Sequence, residues 1–358
     1  MPPVGLPLVP PDVSSLQDRF PAVAPQRLVA DLVPPPRFDA VRFATYLPDP
    51  REQTQAAAVA GLSAFSARIA VPARSAGGLR RRLRRAAPPE QRAGVYLDGG
   101  FGVGKTHLLA SVWHEAPQPK AFGTFVEYTH LVGALGFQAA VTALSGHRLV
   151  CIDEFELDDP GDTVLMSTLL DRLVGAGVHL AATSNTLPGA LGEGRFAADD
   201  FLREIQGLAA HFDVLRIDGE DFRHRGLPQP PPPLTEDDVR AAAERTPGAT
   251  LDDFGGVLRH LSTVHPSRYG ALLDGVRAVC LTGLRPVPDQ NAALRLVVLA
   301  DRLYDRDVPV LAAGTSLDQL FPADMLAGGY RKKYHRAISR LVALAREGEG
   351  IDPPELSR

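Results

Sequence analysis

Cysteine, lysine and long apolar runs are scarce in this 358-residue sequence. With only Cys151 and Cys280, a framework of several disulfides is excluded and a reducing compartment is favoured. No apolar run reaches the roughly 20 residues that a membrane-spanning helix needs. The first residues match neither a secretory signal nor a transit peptide. We therefore expect a cytoplasmic protein whose contact with membranes is peripheral at most.

Basic residues do not outnumber acidic ones, since 38 against 42 give a net charge of −4. A chain of this charge has no general attraction to nucleic acid, so nucleic acid is not expected as a partner. The 10 histidines show no metal-ligand spacing, and no zinc site is expected. The arginine cluster at residues 80–85 lacks interleaved aromatic residues, which is more typical of a solvated surface than of a phosphate-binding face.

Proline marks the organisation of the chain. Residues 1–37 are proline-rich and predict a flexible N-terminal arm. The segment GLPQPPPPL at residues 226–234 predicts a hinge between two domains. The predicted domains are therefore a core over residues 38–226 and a C-terminal region over residues 227–358.

Short apolar segments alternate with segments of helical spacing throughout the core. This alternation predicts an α/β fold with a doubly wound parallel sheet. The C-terminal region predicts a mixed, largely helical extension with one βαβ unit and a final basic helix over residues 330–346. The strands are predicted at residues 94–97, 122–128, 148–153, 178–183 and 214–217 in the core, and at 276–281 and 308–313 in the extension.

A glycine-rich turn follows the first core strand and fits G-x-x-x-x-G-K-[ST] at every fixed position. Glycines let backbone N–H groups surround phosphates at the start of the next helix. The lysine of this motif reaches the β- and γ-phosphates, and its hydroxyl residue binds Mg²⁺. We therefore predict a binding loop for ATP and Mg²⁺ formed by Gly99, Gly100, Phe101, Gly102, Val103, Gly104, Lys105 and Thr106.

Two acids end the apolar strand at residues 148–153. In a parallel sheet this strand end lies beside the phosphate loop, so Asp153 is a predicted Mg²⁺ ligand together with Thr106. Glu154 is then the predicted general base for the attacking water. No guanine-reading N/T-K-x-D motif is found, which favours ATP over GTP.

Two further polar positions complete the predicted catalytic set. Asn185 follows the next apolar strand, where its amide would contact the γ-phosphate or orient the water. An arginine supplied to a neighbouring subunit would lie on the following loop or helix. Arg195 is the first choice for this role, and Arg203 is the alternative.

The chain resembles the ZapE-type cell-division ATPases, whose mitochondrial relatives include the lactation-elevated protein. The resemblance extends over about residues 38–340, and its most specific part is DEF-x-x-x-D-x-x-D at residues 153–162. The other matching segments are RFDAVRFATYLPDP, GGFGVGKT, ATSNTLP, VLRIDGEDFR, DQNAALRLVVLADRLYDRDVPVLAA and HRAISRL.

This resemblance implies an AAA+ fold, ATP hydrolysis and a ring-type homo-oligomer, for which a hexamer is one candidate. It also implies a protein partner, which the ATPase would remodel during cell division. Arg223 matches the arginine of the family's Asp-Tyr-Arg, with Phe222 in place of tyrosine. Arg295 matches a family arginine and is a second candidate sensor.

Two alternatives stay open from the sequence. One is a nucleotide-dependent switch that captures a partner and hydrolyses ATP slowly. The other is a helicase-loader-like ATPase, which would bind single-stranded DNA through the arginines at residues 80–85 in a salt-sensitive manner.

Overall fold

The computed structural model describes residues 13–22, 24–70, 92–100, 102–157, 160–188, 191, 201–219 and 229–349. The described residues form two compact units. The large-sheet unit contains the described residues from 24 to 219. The small-sheet unit contains residues 13–22 and 229–349. The predictions for Phe101, Arg195, Arg223, Phe222 and the cluster at residues 80–85 lie outside the described residues.

The large-sheet unit is built on five parallel strands in the order β2-β3-β4-β1-β5. The strands are β1 (Gly94–Gly99), β2 (Lys120–Thr124), β3 (Leu149–Asp153), β4 (His179–Ser184) and β5 (Phe212–Ile217). The helices are α1 (Pro25–Ala30), α2 (Gln53–Ala70), α3 (Lys105–Glu115), α4 (Phe125–Leu135), α5 (Phe137–Leu144), α6 (Pro160–Gly175) and α7 (Leu202–Ala210).

Both faces of this sheet are covered by helices. Successive side chains of a strand point to opposite faces, and neighbours along β1 and β3 accordingly enter different apolar clusters. Tyr96 and Ile152 pack with residues of α4–α7, whereas Val95 and Cys151 pack with residues of α2 and α3. The predicted doubly wound parallel sheet is confirmed.

The small-sheet unit has three parallel strands in the order β6-β7-β8. One face packs against α8, and the other packs against α9, α11 and α13. The predicted βαβ unit corresponds to β7-α11-β8, while β6 and α9 had no counterpart in the sequence prediction. The elements are β6 (Ala249–Asp253), β7 (Ala278–Leu284), β8 (Val310–Gly314), α8 (Glu236–Arg245), α9 (Phe254–Thr263), α10 (Tyr269–Leu272), α11 (Gln290–Asp305), α12 (Ala323–Ala327) and α13 (Arg331–Glu349).

The expected flexible arm over residues 1–37 is wrong for its described part. Leu16 is buried in the core of the small-sheet unit. Asp252 accepts hydrogen bonds from the Ser15 hydroxyl (2.5 Å) and the Leu16 N–H (3.1 Å). In the large-sheet unit, the Leu32 carbonyl accepts a hydrogen bond from the N–H of Phe122 on edge strand β2 (2.8 Å). Two leucines therefore fix a segment whose proline content alone suggested mobility.

The strand expected at residues 122–128 is also corrected, because β2 ends at Thr124 and α4 begins at the next residue. A capping box causes the change. The Thr124 hydroxyl accepts from the Glu127 N–H, and the Glu127 carboxylate accepts from the Thr124 N–H. Among the described residues, no helix is both long and apolar enough to cross a membrane.

Candidate nucleotide-binding site

The turn between β1 and α3 needs glycine for steric reasons. Gly102 and Gly104 have φ angles of 76° and 87°, in the left-handed region that residues with a Cβ avoid. A Cβ on Gly104 would also lie 2.6 Å from Cε2 of Tyr46. The turn leads directly into α3, so its N–H groups and the helix N-terminus present positive partial charges suited to phosphate.

Lys105 joins the phosphate loop to the end of β4. Its ammonium Nζ donates to the carbonyls of Gly99 (2.8 Å) and Gly100 (2.6 Å) and to the Asn185 side-chain oxygen (2.8 Å). Two segments that the sequence analysis identified separately, the phosphate loop and the residue after β4, therefore meet at one edge of the sheet. Asn185 also donates from Nδ2 to a carboxylate oxygen of Glu156 at 3.5 Å. The sequence analysis did not identify Glu156 as part of the site.

Asp153 accepts hydrogen bonds from two hydroxyl groups. Thr106 Oγ1 lies 3.0 and 3.3 Å from its two carboxylate oxygens, and the Thr183 hydroxyl is its second donor. Burial and the neighbouring Glu154 raise the pKa of Asp153, against the opposing effects of both hydroxyls and of Lys105. A nearby cation would therefore be favourable, because it would stabilise the buried carboxylate.

This donor set fits Mg²⁺. Mg²⁺ prefers oxygen ligands and keeps several waters, binding through one or two protein groups and the substrate phosphates. Thr106 and Asp153 supply one hydroxyl and one carboxylate at hydrogen-bond distance. Within the described ranges, no group of three or more His, Cys, Asp or Glu side chains could hold a metal on its own.

Glu154 occupies a strained position at the end of β3. Its φ of 53° is in the left-handed region, which costs a residue with a side chain about 1–2 kcal/mol. Two hydrogen bonds to Thr183 hold the turn: the Glu154 N–H donates to Oγ1 (3.1 Å), and the Phe155 N–H donates to the main-chain oxygen (2.7 Å). Strain of this kind is often found at functional sites.

A cleft of about 220 Å³ opens beside the phosphate loop. One wall is the segment before α2, where the Tyr46 hydroxyl donates to the Val103 carbonyl (2.8 Å). Partial burial raises the pKa of the Tyr46 hydroxyl above its usual value. From the sequence, this segment, YLPDP, was part of the family resemblance and was not predicted to line the site. The cleft is lined by Thr45, Tyr46, Leu47, Gln55, Gly102, Val103, Gly104 and His107.

Of the other candidate arginines, the structure describes Arg203 and Arg295. Arg203 is exposed on α7 of the large-sheet unit, and Arg195 is outside the described residues. Arg295 lies on α11 of the small-sheet unit. Its guanidinium donates to the carbonyl of Leu261 (2.9 Å) and, at 3.4 Å, to the carbonyl of Val264 and the hydroxyl of Tyr269. These bonds give Arg295 a structural role at the end of α9.

Comparison with known proteins finds a family model, described as AFG1-like ATPase, that matches residues 22–244 and 233–349. The cell division protein ZapE of Escherichia coli (strain K12) is 27% identical over 300 residues, which cover 71% of this chain and 78% of that protein. Lactation elevated protein 1 homolog B of Danio rerio is 26% identical over 163 residues, 39% of this chain and 32% of that protein.

Similarity to solved structures is weak. The crystal structure of DnaI has a TM-score of 0.36 and 18% identity, covering 51% of this chain and 94% of that chain. The DnaC helicase loader has a TM-score of 0.34 and 16% identity, covering 51% and 99%.

Proposed function

The chain belongs to the AFG1-like ATPase family, and on that premise we propose that it binds ATP with Mg²⁺ at residues 99–106 and hydrolyses it. The observation that supports this most is the meeting of Lys105, Thr106, Asp153 and Asn185 within hydrogen-bond distance at one sheet edge. A phosphate loop, a carboxylate and an amide at one place are the parts that phosphoryl transfer to water requires.

Each side chain has a role that follows from its position. Lys105 exchanges its carbonyl partners for β- and γ-phosphate oxygens and neutralises their charge. Glu154 accepts the proton of the attacking water, and Asn185 orients that water or the γ-phosphate. Thr106 and Asp153 would hold Mg²⁺, which would neutralise phosphate charge when bound.

The decisive experiment measures phosphate release by the purified chain and by Glu154→Gln. We expect the variant to bind ATP with unchanged affinity and to lose about 10²–10⁴-fold in kcat, the usual contribution of a general base. Glu244→Gln is the matched control, since Glu244 is exposed on α8, and it should hydrolyse ATP like the wild type. An active Glu154→Gln variant would refute the assignment of the base.

We further propose that the chain forms a homo-oligomer, and that ATP hydrolysis drives the remodelling of a protein partner by this oligomer. Support comes from the match to a cell division protein and from the exposed Arg203, which a neighbouring subunit could use. Both cysteines are free and buried, which is compatible with a reducing cytoplasm.

Assembly and partner are tested together. In the presence of ATP, Glu154→Gln should elute in size-exclusion chromatography as a larger species than it does without ATP. It should also retain the partner in affinity capture. Arg203→Ala should lower kcat by about 10³-fold or more without changing ATP affinity. A monomer whose turnover is independent of protein concentration would exclude the oligomer.

A further inference from the structure

Gln55 is a buried amide in the first turn of α2. Only 4% of its surface is exposed, although glutamine side chains are usually solvated. Both ends of the amide are hydrogen-bonded: Oε1 accepts from the Asp49 N–H (2.8 Å), and Nε2 donates to the Asp218 carbonyl (2.9 Å). A buried amide with both partners in place constrains the segments that it joins.

These two bonds connect the cleft wall to the sheet. Asp49 belongs to the turn directly after Tyr46 and Leu47, which line the cleft. Asp218 follows the last residue of β5, the strand paired with β1. One side chain therefore fixes the position of the wall relative to the strand that leads into the phosphate loop.

The packing around the amide leaves little freedom. A Cβ on Gly219 would lie 2.7 Å from Gln55 Nε2 and 3.3 Å from a methyl group of Val103. Gly219 thus brings the chain after β5 close to both the amide and the phosphate loop. The Tyr46 hydroxyl bond to the Val103 carbonyl anchors the other end of the same wall.

We propose that Gln55 is a positioning residue that sets the cleft wall at the distance required by the base and ribose of the nucleotide. This rests on the proposed function, because the phosphate loop must hold the triphosphate for the cleft to receive the rest. Among the described residues, the Gln55 side chain forms hydrogen bonds with Asp49 and Asp218, and with neither Lys105 nor Thr106. Removal of the Gln55 hydrogen bonds should therefore weaken binding of the nucleoside and leave binding of the phosphates unchanged.

Two probes separate the nucleoside from the phosphates: ATP, and inorganic tripolyphosphate, which has the same phosphates and no nucleoside. Isothermal titration calorimetry with Mg²⁺ gives the Kd of each. In Gln55→Leu, which keeps the bulk and removes both hydrogen bonds, the Kd of ATP should rise about 10-fold. The Kd of tripolyphosphate should stay within about two-fold, and kcat at saturating ATP should be retained because Glu154 is untouched.

Gln55→Glu provides a second variant of the same size. Its carboxylate still accepts from the Asp49 N–H, but it faces the Asp218 carbonyl as a second acceptor and buries a charge, so the Kd of ATP should rise at least as much as in Gln55→Leu. Retained tripolyphosphate binding shows that each variant is folded at the phosphate loop. Gln53→Leu is the matched control, because Gln53 is exposed on the same turn of α2 and lines no part of the cleft.

Each outcome decides the proposal. A selective loss of ATP affinity in both Gln55 variants, with Gln53→Leu like the wild type, supports it. An equal loss for ATP and tripolyphosphate, or an unchanged Kd for ATP, overturns it and leaves the proposed ATPase function intact. A wild-type protein that binds neither probe refutes the proposed function and this inference with it.

Discussion

One hydroxyl group, that of Thr183, contacts both acids of the site. It donates to the Asp153 carboxylate and accepts from the main-chain N–H of Glu154 at 3.1 Å. Thr183 is almost fully buried near the end of β4, among the apolar residues of that strand. Its position therefore determines both the direction of the Asp153 carboxylate and the strained backbone of Glu154.

Thr183→Val tests this coupling, because valine has nearly the same shape without the hydroxyl. The Glu154 N–H would lose its acceptor, at a cost of about 1–3 kcal/mol, and the turn would relax. We expect kcat for ATP hydrolysis to fall by about 10²-fold, since small displacements of a catalytic group have effects of this size. The affinity for ATP without Mg²⁺ should change little, because the phosphate loop is intact. Steady-state kinetics with a separate binding titration measure both.

Thr168→Val is the control for the loss of a threonine hydroxyl. Thr168 lies on α6, where its hydroxyl donates to the Val164 carbonyl of the same helix at 2.7 Å. This variant should retain wild-type kcat. If Thr183→Val instead kept full activity, Thr183 would have no positioning role.

The helix start at Thr124 determines where β2 ends. In Thr124→Ala the Glu127 N–H loses its acceptor and the Glu127 carboxylate loses the hydroxyl donor, while the bond from the main-chain N–H of residue 124 to that carboxylate remains. We expect the free energy of unfolding of the large-sheet unit to fall by about 1 kcal/mol, the usual effect of removing a cap. Urea denaturation followed by circular dichroism measures the difference. Thr129→Ala, within α4, should be close to neutral, and equal losses in the two variants would contradict the capping role.

Sequence patterns predicted the parts of the site that are local in the chain. The phosphate loop is contiguous, and the ends of parallel strands share one edge, so Lys105 and Asp153 could be brought together without a structure. Family membership was also predicted from such segments, and the match over most of the chain confirms it. The glycine-rich turn and the acids carry their chemistry in residue type and spacing.

The cleft wall could not be predicted in this way. The Gln55 side chain bonds to Asp218, 163 positions away in the chain, and the Ser15 hydroxyl bonds to Asp252, 237 positions away.

The strand β6 and helix α9 were missed because LDDFGG, with two acids and two glycines, is typical of a loop. In the structure Asp253 caps α9 through a 2.7 Å bond from the Gly256 N–H.

At the scale of the whole molecule, each unit has its own apolar core, and the small-sheet unit adds a partly buried ionic cluster. Asp301 on α11 pairs with Arg336 on α13 at 2.9 Å and with Arg340 one turn further along. Burial alone would raise the pKa of Asp301, but the two guanidinium groups outweigh it and hold that pKa below its usual value of 3.8. The cluster therefore stabilises the packing of α11 against α13 only while Asp301 is ionised.

The sign of the pH dependence follows from the lowered pKa. The stabilisation by Asp301 is fully present above pH 3.8 and is lost as the pH falls through its lower folded pKa. Asp301→Asn should lower the free energy of unfolding of the small-sheet unit at neutral pH by about 1.5–3 kcal/mol, because two partly buried arginines lose their hydrogen-bonded carboxylate. Below pH 3.8 the difference in unfolding free energy between wild type and Asp301→Asn should narrow.

The control is Asp237→Asn, at an exposed position of α8. It should lower the free energy of unfolding by less than about 1 kcal/mol at both pH values. Urea denaturation of the three proteins at neutral pH and below pH 3.8 measures the difference in unfolding free energy between wild type and variant. A difference that did not change with pH would show that Asp301 ionisation does not hold the two helices together.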